Sequence, residues 1–168
     1  MKKSVGLLAC AAALVAGCGT VSGQAEPAGS SITEPAFSPC DDIPDEAIRA
    51  VGFDPATEGR DVSGVKQPGW NMCNWQNGRR ILRVQSNTYS LDDVRKNPDY
   101  RDFRDVDISG QPGLEFGHVT EAPEVLCYAV TDTSGGLMMV VATIRSNDGD
   151  PCELAHSAAV EFLPYADK

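Results

Sequence analysis

Apolar and polar positions alternate along this chain in short segments, each closed by glycine, proline, asparagine or aspartate. Ile43-Pro44-Asp45-Glu46-Ala47-Ile48-Arg49-Ala50-Val51-Gly52 reads as a helix, with Ala47, Ile48 and Val51 on one face and Gly52 as its stop. Residues 69–75 and 80–86 read as a hairpin around Gln76-Asn77-Gly78, because Asn-Gly tolerates the positive φ of a tight turn. Ser90-Leu91-Asp92-Asp93 reads as a capping box opening a short helix toward Asn97. Two further strands are expected at 105–109 and 113–119. The clearest hairpin joins 125–131 to 137–144. Its second strand, Leu137-Met138-Met139-Val140-Val141-Ala142-Thr143-Ile144, is apolar on both faces, as a central covered strand is. Asp150 as N-cap, Pro151 at the first helical position and Glu153 open a last helix, whose Leu154, Ala155, Ala158, Ala159 and Phe162 share one face.

The element order is therefore helix, two strands, helix, four strands, helix. It defines an α+β domain with a mainly antiparallel sheet of about six strands flanked by helices. Alternating βαβ units are missing, which argues against a Rossmann or P-loop fold.

The first residues follow a different pattern. Lys2 and Lys3 precede an apolar run from Val5 to Ala16, shorter than the roughly 20 residues of a membrane-spanning helix. Residues 1–17 read as a secretory signal ending in the lipobox Val15-Ala16-Gly17-Cys18, with Cys18 as the thiol that takes the diacylglycerol. Residues 18–36 are Gly, Ser, Thr, Ala, Pro and Glu with few large apolar side chains. They are expected to be a flexible tether reaching roughly 24 Å. Residues 37–168 are expected to be the single domain. The expected location is the outer face of the cell membrane, held there by lipidated Cys18.

The chain of 168 residues carries 14 Lys+Arg and 24 Asp+Glu, a net charge of −10. Removing residues 1–17 takes away two lysines and no acid, leaving −12. Such a balance argues against a nucleic-acid partner, since phosphate contact needs clustered cations. It also disfavours electrostatic adhesion to anionic lipid. Outside the membrane, Cys40, Cys73, Cys127 and Cys152 are expected to form disulfides. Four cysteines allow three pairings. Cys40–Cys73 with Cys127–Cys152 is preferred, because each pair staples a helix start to a strand. Cys73–Cys127 with Cys40–Cys152 is the competing pairing.

Phe37-Ser38-Pro39-Cys40, Gly69-Trp70-Asn71-Met72-Cys73-Asn74-Trp75, Asn97-Pro98-Asp99-Tyr100 and Asp150-Pro151-Cys152 resemble an actinobacterial lipoprotein family, domain of unknown function 3558. The resemblance covers about residues 37–164. It implies an exported lipoprotein with an α+β domain and a PsbP-like sandwich. It implies no established activity, so it carries over no functional residue.

Candidate chemistry is sparse. His118 with Glu115, Glu121 and Glu124 is the one His–carboxylate group. It would serve a small envelope enzyme, although a solvated acidic loop is the plainer reading. Asn147-Asp148-Gly149-Asp150 resembles part of a calcium loop but lacks the distal glutamate, and Asp150 is better explained as a helix cap. Ser134 reads as a hairpin residue and His156 as a surface or boundary residue. Trp70, Trp75 and Tyr89 concentrate on the first hairpin and could line a ligand groove, as aromatic side chains line small-molecule pockets, against a competing role in core packing. No cofactor or metal is expected. The expected function is a non-catalytic binding or interaction module of the cell envelope, its partner an envelope protein or a small apolar ligand. The alternatives are a carrier holding a lipid between sheet and helices, or an enzyme working through His118.

Overall fold

A computed structural model describes residues 33–145 and 149–167. The signal segment, the lipobox with Cys18 and most of the tether lie outside the described residues, as do Asn147 and Asp148.

Seven antiparallel strands form one sheet: β1 (Gly59–Arg60), β2 (Trp70–Asn77), β3 (Arg80–Asn87), β4 (Tyr100–Ile108), β5 (Gln111–His118), β6 (Leu126–Thr133) and β7 (Gly136–Ile144). The spatial order is β1-β2-β3-β7-β6-β5-β4. Among the described residues, four α-helices accompany it: α1 (Pro39–Asp42), α2 (Asp45–Ala50), α3 (Leu91–Lys96) and α4 (Pro151–Ala166). The domain is therefore α+β and mainly sheet. The seventh strand is β1, whose two residues pair with Asn74 and Cys73 of β2. It is too short to show alternation, so its segment reads as loop.

β7 lies between β3 and β6 and is covered on both sides, as its apolar run implies. Met138, Val140, Ala142 and Ile144 join the larger core with Leu154, Ala155, Ala158, Ala159 and Phe162 of α4. Leu137 and Met139 join a second core on the opposite face with Val94, Leu114, Phe116 and Val130. Since β3 and β4 run in the same direction at separate places in the sheet, the chain between them crosses that second face, and α3 is the crossing element. A six-residue helix covers little area, so aromatic side chains complete the cover.

Three differences from the sequence reading have local causes. The helix expected from Ile43 begins only at Asp45, as α2, with a separate α1 before it, because Ile43, preceding Pro44, is extended at ψ 116°; proline disfavours the helical region for the residue before it. The Gly52 stop holds. With φ 83°, Gly52 donates to the Arg49 carbonyl and Phe53 to the Ile48 carbonyl, a Schellman closure that delivers Phe53 into the core. β4 begins at Tyr100, five residues before the expected start, because a bulge between Arg101 and Arg104 breaks the alternation. Asp102 takes φ 58° there, and the extra residue puts Phe103 on the same face as Tyr100. Finally, packing begins before residue 37. Pro35 is buried, Asn71 Nδ2 donates to the Pro35 and Phe37 carbonyls, and the Glu34 carboxylate accepts from the Gly69 amide.

Two disulfides staple the helices to the sheet. Cys40–Cys73 ties α1 to β2, and Cys127–Cys152 ties β6 to the first turn of α4, with Cα separations of 5.2 and 4.9 Å. Asp150 caps α4 by accepting from the Cys152 amide at 2.7 Å.

Candidate functional site

Trp70 opens β2 on the face away from α4, where α3 crosses. Tyr89 lies in the connection leading into α3 and is 54% exposed. The two rings meet edge to face at 5.7 Å. With Asp93 and Val94 of α3, Asn97 just after it, Tyr100 of β4 and Met139 of β7, they line a pocket of about 410 Å³. That volume lies in the range of small-molecule sites, roughly 300–1,000 Å³.

The pocket is built from below by one buried amide. Asn87 is 1% exposed. Its Nδ2 donates to the Met139 sulfur at 3.3 Å, and its Oδ1 accepts from the Tyr89 amide at 2.9 Å. It thus fixes two walls. The third wall is held by the capping box: Ser90 donates from its amide and its hydroxyl to Asp93 Oδ2, at 3.0 and 2.7 Å, and Ser90 Oγ accepts from the Asp93 amide. The Ser90 hydroxyl and then its amide hold the Asp93 carboxyl below the usual range.

Tyr100 continues the aromatic surface inward. Its ring lies 4.6 Å from Phe116 and 5.2 Å from Tyr128, and Phe116 stacks on Tyr128 at 4.7 Å. Burial, then the nearby Asp99 charge, raises the Tyr100 hydroxyl, and burial, then Tyr100, pushes Tyr128 up to about 12. Both stay neutral hydroxyls at any physiological pH.

Trp75 is not part of this site. It is 1% exposed and belongs to the α4-side core. Side chains alternate along a strand, so two residues five apart point to opposite faces. Trp70 and Tyr89 come together; Asp93 and Tyr100 were not legible as their neighbours, because the α3 crossing brings them there, nor was Met139, which the pairing of β7 with β3 puts in place.

The His118 group comes apart for the same reason of parity. His118 shares its face with Tyr100, and its Nδ1 lies 2.8 Å from Thr120 Oγ1. Glu115 faces α4 instead, where its 9%-exposed carboxylate meets His156 Nδ1 at 2.9 Å and Arg104 Nη2 at 2.8 Å. His156 is thus an α4-to-β5 contact. Glu121 lies 3.7 Å from Arg145. Glu124 lines a separate cleft of about 730 Å³ with Arg104 and the Cys127–Cys152 disulfide, bordered in sequence by the undescribed residues 146–148. Among the described residues, the one cluster with metal-ligand spacing is Cys40, Glu58 and Cys73, and its sulfurs are joined to each other.

Residues 13–165 match the family described as "Protein of unknown function (DUF3558)", and the chain belongs to that family. No curated protein and no solved structure matches it.

Proposed function

We propose that this protein is a lipid-anchored, extracytoplasmic binding module, and that its ligand site is the Trp70–Tyr89–Tyr100 pocket. The observation that carries the reading is a small-molecule-sized cavity whose walls are aromatic and lie outside the main core. Tyr89 stays half-exposed beside this cavity, and the buried Asn87 side chain accepts from its backbone amide. The lipobox ending at Cys18 supports the anchor, with no helix among the described residues long and apolar enough to cross a membrane. The placement of Glu115 and His118 on opposite faces favours binding over catalysis at that group. A long helix on one face and a short one on the other also favours the PsbP-like arrangement.

The test is native mass spectrometry of the protein taken from its own envelope. A retained ligand, lost in the Trp70→Ala variant, is the expected result. A retained ligand unaffected by Trp70→Ala would place binding elsewhere.

A further inference from the structure

We propose that this pocket takes a cationic amine, of the quaternary ammonium class. The inference rests on reading the pocket as a binding site and names its ligand. Three aromatic side chains reach it from three segments: Trp70 from β2, Tyr89 from the connection after β3, and Tyr100 from β4. Aromatic ring faces carry negative potential and attract a desolvated cation. Asp93 is the only ionisable acid or base in the wall besides the two tyrosine hydroxyls, and no lysine or arginine contributes to it. Both Ser90 hydrogen bonds fall on Asp93 Oδ2, so the charge stays fixed at the pocket while Oδ1 is not used by the cap. Met139 and Val94 complete the lining with apolar, polarizable atoms.

This composition discriminates. An anionic ligand, such as a fatty acid, would meet the Asp93 carboxylate with no lysine or arginine in the wall to balance it. A neutral apolar ligand gains nothing from the fixed charge, and a neutral polar one gains only a hydrogen bond to it. A quaternary ammonium ion fits both features, because its methyl groups pack on the rings while its charge faces Asp93 at longer range. The net charge of −10 further raises the local concentration of cations.

The test is calorimetric titration of the full chain with choline and with its uncharged carbon isostere, 3,3-dimethylbutan-1-ol. Choline should bind at least about tenfold more tightly than the isostere. Tyr89→Leu should weaken choline by about five- to tenfold, while Tyr89→Phe keeps it. Tyr89 is half exposed, so an unchanged melting temperature in Tyr89→Leu verifies the fold. Equal binding of choline and isostere overturns the cation proposal and leaves the binding-site reading standing. No binding of either probe at about 10 mM overturns the cation proposal, and the binding-site reading then stands or falls on the retained envelope ligand. Phosphatidylcholine vesicles separate the two sources of this group: sedimentation with them, displaced by choline, assigns a lipid headgroup, and titration by choline without sedimentation assigns a free solute.

Discussion

Replacing Cys127 and Cys152 together by alanine tests how the last helix is held. The bridge closes a segment of 25 residues between β6 and the start of α4. In the chain-entropy account, that closure restricts the unfolded chain by about 12 cal/mol/K, or about 3.5 kcal/mol at 25 °C. The same account gives about 3.7 kcal/mol for Cys40–Cys73 across its separation of 33. Together, about 7 kcal/mol is comparable with the entire stability of an ordinary domain. The double variant should therefore lose about 3.5 kcal/mol in urea unfolding followed by Trp75 fluorescence, with a larger m-value because the freed unfolded chain expands. Native-state α4 should persist, since its core face still packs against β6 and β7. A loss below about 1 kcal/mol would refute the staple argument and place the hold on α4 in packing alone.

Three further outcomes are expected. Cys18→Ser should release the chain from the membrane or leave it unprocessed, read by fractionation and intact mass; a variant that remains anchored and processed contradicts the lipobox reading. Glu115→Ala should cost about 1–3 kcal/mol, because it strips partners from His156 and Arg104 at a nearly buried site, while His118→Ala should stay within about 0.5 kcal/mol; equal losses in denaturant unfolding would contradict the geometry. Absorbance titration should find Tyr128 still protonated where an ordinary tyrosine has ionised, since burial lifts it to about 12. Its raised value means that stability is fully present below the unfolded value near 10 and is lost as pH rises toward 12.

Local signals carried most of the fold. Gly78 marked the first hairpin, although the turn is Gly78-Arg79 and Asn77 ends β2 paired with Arg80; Ser90 and Asp93 marked the capping box, and Asp150-Pro151 the start of α4, because each is chemistry confined to a few neighbouring residues. The two-faced apolar run 137–144 marked the central strand. The break at Ile43 was also legible, since the residue before a proline resists helix. So was the separation of Trp70 from Trp75, from strand parity alone. By contrast, β4 hid its start behind the bulge at Asp102. The assembly of Tyr89, Asp93, Tyr100 and Met139 depends on a chain crossing three strands, and the Glu115–His156 contact on α4 packing across β5. No short window of sequence holds such long-range placements.

Ligand binding at Trp70, on the α3 face, can be read directly, because the chain carries two tryptophans that report on the two faces separately. Trp70 lines the pocket, and Trp75 sits 1% exposed in the core beneath α4. The measurement is the pair of indole N–H resonances of isotope-labelled protein, recorded while small molecules extracted from its own cell envelope are added. The Trp70 resonance should shift or broaden while the Trp75 resonance stays in place. A shift confined to Trp75, or two unmoved resonances, would contradict it.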